Sequence, residues 1–455
     1  MKKLIILLII SFGILSCTKE FVNHNNVKED ILFSKPEAYQ AIVLGMTKDF
    51  ATKSLYRIIH APSFTAKENG NLRTYETEYQ LVDGGPELTG INSSISGIWR
   101  ELHRNRGIAE KIINRIDKLE FVNADAETDF QTKKSAYKAY AYLFRGMTTG
   151  YLSQYWKQVT TENNLDDNAN FVSREDGYQK AIFFLDQALA ELNNNIDAIN
   201  YINNLVSPEF SIVDIIHALK ARYYIDLGEY QNAYNEADMV DLTKRSVWYY
   251  ESGSILNPIY ANTIKVGRTR RFSPLEHLGL VGTQAPDNND MRVPFYLDSS
   301  VSKNDNCGNV TYYPAGFWDA DNKPIPVYLP GEMLLIKAES KARTNQLADA
   351  VALINEVRTK TPADDVFGVG ASLGPWTGDA TNQQDVLDEI YKNYAIELFM
   401  QGQRWSIHRR FYPNYLDNID WNNVSRCNLE RVNNFYPYPD QERANNPNCP
   451  PDPAY

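Results

Sequence analysis

Histidine, cysteine and positive charge are all scarce in this chain. The 6 histidines among 455 residues are scattered (His24, His60, His103, His217, His277, His408). No cysteine sits in a Cys-x-x-Cys, and no histidine stands at ligand spacing from a cysteine, so a structural zinc site is not expected. With 46 Lys and Arg against 57 Asp and Glu, the net charge is −11. Phosphate backbones are bound by basic surfaces, so nucleic acid is not an expected partner. The sequence also lacks His-Glu-x-x-His, a phosphate loop and Gly-x-Gly-x-x-Gly, and with them the chemistries those motifs carry. A glycosidase needs only two carboxylates; Asp388, Glu389 and Glu397 are the visible candidates, and they read instead as a solvated helix face with structural pairing. No enzymatic activity and no cofactor are expected.

Apolar sequence is concentrated at the start. MKKLIILLIISFGILSC places two lysines before an apolar run from Leu4 to Leu15, the layout of an export leader. The run is shorter than the roughly 20 residues that span a hydrocarbon core, and polar Thr18, Lys19 and Glu20 follow at once. Leu15-Ser16-Cys17 resembles a bacterial lipobox. That resemblance implies acylation of Cys17 and removal of residues 1–16, which takes the stated charge from −11 to −13 because Lys2 and Lys3 are lost. Two or more acyl chains, at about 0.8 kcal/mol per buried methylene, hold a protein stably on a membrane. Residues 17–30 then read as a polar tether.

Helical periodicity dominates the rest, at 98–119, 133–150, 178–193, 212–241 and 331–360. Two of these segments share a template. Ala221 is followed by Gly228 seven residues on, Ala233 at twelve and Ala237 at sixteen; Ala338, Asn345, Ala350 and Ile354 keep those spacings. Small residues at the first and third positions let two helices approach closely, and Gly228 and Asn345 fall where a turn needs positive φ. The spacing matches the tetratricopeptide pattern, with Pro362 eight residues past Ile354. A third copy is split: Tyr178, Ala181, Leu185 and Ala188 supply its second helix and 133–150 its first. Residues 246–329 and 363–380 are instead rich in Pro, Gly, Asn and aromatic residues.

Repeats, long irregular insertions and a lipid anchor together resemble the SusD/RagB family of outer-membrane nutrient-binding lipoproteins. The residues that carry the likeness are Leu335, Ile336, Ala338, Glu339, Leu353, Asn355 and Arg358, then Glu397, Leu398, Gly402, Arg404 and Trp405, and finally Tyr436, Pro437, Pro439, Glu442 and Asn446. Asp290-Met291-Arg292 resembles the family's Asp-x-Arg, a structural ion pair. The likeness implies a mostly α-helical domain over 31–455. Repeat units at about 98–245 and 331–362 would form the scaffold, with long irregular aromatic-rich insertions at about 246–329 and 363–380. It also implies lipid anchoring at the outer membrane, exposed at the cell surface, and partnership with a SusC-like TonB-dependent transporter that imports a captured oligosaccharide or other nutrient. A lipid-anchored helical-barrel carbohydrate-active enzyme and a helical-repeat adaptor for proteins are the alternatives.

Sugars are held by aromatic rings on their C–H faces and by polar groups at their hydroxyls. Aromatic residues make up 12% of the chain, 29 of them Tyr. Tyr296, Tyr313 and Trp318 lie among Asn and Asp in the long insertion, Trp376 lies in the Gly-rich loop, and Tyr75 with Tyr79 lies in NLRTYETEYQ. Trp318, Tyr313, Tyr296, Tyr75 and Trp376 are the expected ligand contacts, whereas Trp99 and Trp405 are expected in the core. Loop acids Asp287, Asp290, Asp319 and Asp321 have the oxygen chemistry for calcium. DADNKP fails the EF-hand order, with Lys323 at a ligand position and Pro324 at the turn glycine, and no metal is expected. Once Cys17 is assigned to lipid, at most one disulfide can form, and Cys427–Cys449 is favoured because both lie in the extended C-terminal region.

Overall fold

The computed structural model describes residues 29–163 and 168–454; Cys17, the leader and nearly all of the tether lie outside them. The fold is mostly helical. Helix α1 (Tyr39–Asp49) runs through a π-turn into α2 (Leu55–Thr65). Then come α3 (Ser93–Ile116), α4 (Ala124–Tyr155), α5 (Arg174–Asn194), α6 (Ile212–Leu227), α7 (Tyr230–Asp238), α8 (Pro330–Arg343), α9 (Leu347–Thr359), α10 (Gln383–Glu397) and α11 (Arg404–Phe411). No helix among the described residues is long and apolar enough to cross a membrane.

Caps fix several helix starts where periodicity alone misses them. Asn92, Asn123, Ser173 and Ser211 each accept a hydrogen bond from a first-turn amide of α3, α4, α5 and α6. Helix α4 therefore begins well before the expected residue 133, because its polar, acidic first turns carry no apolar stripe. The expected segments 212–241 and 331–360 are each two helices. Gly228 (φ +75°) and Asn345 (φ +60°) turn the chain between them, and Ala221, Ala233, Ala338 and Ala350 are fully buried where the partners cross. Helices α4 and α5 pack together as the split third unit.

Several charges within this scaffold are matched. Arg222 of α6 makes a two-pronged contact with Glu332 of α8 at 2.7 and 2.8 Å. Arg410 of α11 bonds Glu339 at 2.9 Å, and Arg292 bonds Asp290 at 2.7 Å, as the Asp-x-Arg reading expects, and Glu397 at 3.2 Å. In a low-dielectric interior such pairs hold because each charge keeps its partner.

Among the described residues the irregular segments form four two-stranded antiparallel sheets. These pair β1 (Asn69–Asn71) with β5 (Phe272–Pro274), β2 (Gln158–Thr160) with β3 (Phe171–Ser173), β4 (Val247–Trp248) with β8 (Ile325–Pro326), and β6 (Leu297–Asn304) with β7 (Val310–Pro314). Strands β4 to β8 lie in the 246–329 insertion and β1 to β3 outside it. An isolated bridge between Leu275 and Thr311 lays the β6–β7 hairpin beside β5. The disulfide joins Cys307 to Cys427, not Cys427 to Cys449. Folding carries the hairpin turn to the 426–428 turn. Cys449 belongs to a segment held elsewhere, where Asn446 and Asn448 donate to the carbonyls of Ala169 and Asn168.

Candidate functional site

The five expected ligand contacts separate into three groups. Trp318 is fully buried and stacks on Tyr296 with ring centroids 5.7 Å apart, while Phe399 meets its edge. Tyr296 is equally buried, and its hydroxyl donates to the carbonyl of Glu397 at 2.6 Å. A ring without an exposed face has none to offer a sugar, so both belong to the core in this structure. The expectation of an exposed Trp318 came from its polar sequence neighbours, but beyond the adjacent Phe317 its apolar company, Tyr296 and Phe399, is assembled by the fold. Trp376 is half-buried and sits against α9, its amide donating to Asn355 Oδ1 at 2.7 Å. Tyr75, half exposed, and Tyr313, half-buried, lie at the surface around β5, each beneath one of the consecutive residues Arg271 and Arg270.

That face is built from β1, β5 and the β6–β7 hairpin. Leu72 N donates to the carbonyl of Arg271 at 2.8 Å, extending the β1–β5 pairing. Gly70 admits the hairpin: a Cβ there would lie 2.7 Å from Asp305 Cβ and 2.8 Å from Thr311 Cγ2. Asn306 then stitches the turn down, its amide donating to Asn71 O at 2.9 Å and its side chain to Arg73 O at 2.7 Å. Cys307–Cys427 fixes the far side of the same turn.

Guanidinium groups cover the two tyrosines. Arg271 lies 4.5 Å from the Tyr75 ring centre and Arg270 4.2 Å from that of Tyr313. A small recess of about 100 Å³ lies alongside, lined by Tyr79, Asn69, Asn71, Asp305 and Asn309, and a larger one of about 350 Å³ is lined by Glu276, His277, Asn309, Asn428 and Glu430. Lys67 borders both. Its ammonium donates to Val82 O at 2.6 Å, and burial pulls its pKa down to about 8. The recesses thus offer a tyrosine ring, side-chain amides and carboxylates, with the two covered tyrosines on the elements that frame them, materials for gripping a polyhydroxylated ligand.

A larger cavity, about 500 Å³, lies between α3 and the C-terminal segment. Its aromatic wall is Trp99, only 6% exposed, with Nε1 donating to Glu442 at 3.1 Å. Trp99 and the fully buried Trp405 are core residues as expected.

The carboxylates weighed for catalysis already have partners. Glu397 is enclosed between Arg292 and Lys360, Glu389 pairs with Arg358, and Asp388 accepts from the hydroxyl of Tyr412 at 2.9 Å. One string escapes the motif reading. Gly370-Ala371-Ser372-Leu373-Gly374 spells Gly-x-Ser-x-Gly, but it lies on irregular chain and not at a strand-to-helix elbow. Among the described residues no hydrogen bond links Ser372 to a histidine. The loop acids are likewise taken: Asp287 by Arg358 and Lys392, Asp290 by Arg292, Asp319 by Lys323 and Asp321 by Ser252. No group of three potential metal ligands occurs among the described residues.

The model of the SusD family matches residues 222–451. The chain belongs to the SusD family. Solved structures agree over nearly the whole chain. A SusD superfamily protein from Bacteroides vulgatus is 15% identical, with a TM-score of 0.63 over 93% of this chain and 100% of the other. One from Bacteroides thetaiotaomicron is 15% identical, with a TM-score of 0.65 over 92% and 100%. A SusD-like carbohydrate binding protein from Bacteroides fragilis is 14% identical, with a TM-score of 0.65 over 92% and 99%. No curated protein matches.

In this SusD-family chain the signature residues hold the fold together. Glu339 receives Arg343 and Arg410, Arg358 pairs with Glu389, and Asn355 accepts the Trp376 amide. Gly402 (φ +74°) presents its carbonyl to Gln154 and Tyr155. None of these lies on the face carrying Tyr75 and Tyr313, so the residues that announce the family are not those of the candidate site.

Proposed function

We propose that this chain is a cell-surface lipoprotein that captures an oligosaccharide on the Tyr75–Tyr313 face and passes it to a SusC-like TonB-dependent outer-membrane transporter. Cys17 carries the lipid anchor, and the protein binds without turning its ligand over. The observation that carries this reading is a recess lined by Tyr79, Asn69, Asn71 and Asn306 on a SusD fold, with Tyr75 under Arg271 and Tyr313 under Arg270 on the elements that frame it. The carbohydrate-binding description of the Bacteroides fragilis neighbour supports the ligand class, and the pairing of Asp388, Glu389 and Glu397 supports binding without hydrolysis.

Titration calorimetry of a panel of oligosaccharides tests the reading. Tyr313→Ala is expected to weaken binding roughly tenfold, about 1.4 kcal/mol, with an unchanged thermal melt. Equal affinity in Tyr313→Ala and Tyr75→Ala would overturn the site. Release of new reducing ends by the purified protein would overturn the non-catalytic role. Mass spectrometry of the mature N-terminus is expected to find an acylated Cys17, and an unmodified chain starting elsewhere would remove the anchor.

A further inference from the structure

We propose that the ligand is an anionic oligosaccharide, whose carboxylate or sulfate groups are received by Arg73 and Lys303, with the buried Arg270 adding its positive charge from beside the Tyr313 ring. This rests on the glycan-binding reading of the same face and adds its chemical class.

The motive is a cluster of cations without acids in an acidic chain, at −11. Arg222, Arg292, Arg358 and Arg410 pair with acids, and the buried Arg409 and Arg431 spend their donors on carbonyl groups and His408. Around the hairpin several cations stand together with neither arrangement complete. Among the described residues no carboxylate lies within 4.0 Å of a charged nitrogen of Arg73, Arg268, Arg270 or Lys303, the distance that defines an ion pair. Arg270 is only 3% exposed; its Nε donates to Ser273 Oγ at 2.7 Å, and its Nη2 is buried without a partner. Arg73 donates to the carbonyl of Arg268 at 2.8 Å, a contact that leaves its charge unneutralised. Burial, then Arg73 and Arg270, lowers the pKa of the Lys303 ammonium, so each arginine lies close enough to repel it.

The acids nearby are otherwise engaged. Glu78 stands 3.7 Å from Arg271, and burial raises its pKa. Asp305 accepts the amides of Cys307 and Asn309, and Glu276 accepts the hydroxyl of Tyr312. A buried guanidinium with an open donor costs stability until an anion meets it. The planar fork of the partly exposed Arg73 matches the paired oxygens of a carboxylate or a sulfate ester. A neutral glycan would leave that charge unanswered.

The test titrates the mature chain, in detergent, with hexagalacturonate, a chondroitin sulfate hexasaccharide, maltohexaose and xylohexaose, at about 50 and about 300 mM NaCl. At low salt an anionic hexamer is expected to bind at least roughly tenfold more tightly than the neutral ones, and the advantage should shrink several-fold at high salt. The two anionic probes distinguish carboxylate from sulfate recognition. Arg73→Gln and Lys303→Gln, both partly exposed, are expected to weaken anionic binding about fivefold each, leaving neutral binding and the melt unchanged. Arg270→Gln removes a buried cation that covers Tyr313 and should lower the melt as well as anionic binding, so the two partly exposed variants decide the test. Neutral hexamers binding as well as anionic ones, or unchanged anionic affinity in Arg73→Gln and Lys303→Gln, would overturn the anionic class and leave the glycan reading standing. Binding of no oligosaccharide at all would overturn both.

Discussion

Two sets of rings lie on the same stretch of chain and have opposite fates. The inner set, Tyr296, Phe317 and Trp318, packs against Phe399 and is buried. The outer set, Tyr312 and Tyr313 on β7, stays at the surface under Glu276 and Arg270. Ring content alone cannot separate them. What separates them is whether the neighbouring element is the apolar end of α10 or the polar edge of β5.

The charges repeat the lesson, and the largest expected effect concerns the inner side. Arg292→Met should cost about 5 kcal/mol, the upper end for breaking a buried pair, because Asp290 loses its partner and Glu397 one of two. Urea denaturation measures it. A loss below about 1 kcal/mol would mean that the inner charges are no better matched than the rim.

Next is the ring comparison itself. Trp318→Ala should destabilise by about 3–5 kcal/mol and leave glycan affinity unchanged in the folded fraction, the reverse of Tyr313→Ala. Equal destabilisation by the two would erase the distinction between inner and outer rings.

The disulfide ties the outer set down. It closes a long loop, with 120 residues of sequence separation, so Cys307→Ser should lower stability by about 2–4 kcal/mol. Glycan affinity should fall as well, since the hairpin turn loses one of its attachments. A stability loss with unchanged affinity would show that Asn306 alone positions the turn.

The smallest effect is a pH slope. His60 is buried among Tyr56, Phe64 and Phe272, directly behind β5, and burial lowers its pKa to about 3. Above its ordinary value near 6.5 it is neutral in both states and contributes no slope. Below that, the unfolded chain takes up a proton that the folded one refuses, so stability falls by about 1.4 kcal/mol per pH unit towards pH 3. His103 and His408, both lowered chiefly by burial, act in the same direction. Denaturation at pH 5 and pH 8 should show a smaller difference for His60→Phe than for wild type; an identical difference would place His60 in contact with water.

Much of the scaffold was legible in sequence because its signals are local. A helix announces itself through apolar periodicity within its own turns, and Gly228 and Asn345 mark reversals through the φ they must adopt. Ala221 and Ala233, with Ala338 and Ala350, disclose a helix crossing because only small side chains fit one. The Asp290–Arg292 pair is local too, a contact two residues apart. The site was legible only as raw material. Asn304 to Asn309 reads as a polar loop, and nothing in its spacing says that it turns a hairpin onto Gly70. Cys449 is nearer than Cys307 to Cys427 in sequence, and sequence distance misled the pairing.

By itself, the sequence determined the mostly helical repeat architecture, the family signature and the aromatic wealth of the insertions, because periodicity and residue type are carried residue by residue. Only the tertiary structure decided which rings are core and which are surface, which cysteine Cys427 meets, and which arginines go without an acid. Burial and pairing are relations between elements far apart in the chain. Trp318 is buried because Phe399 comes to it, and Arg270 has no acid because folding sets it against Tyr313 and Ser273 and no carboxylate.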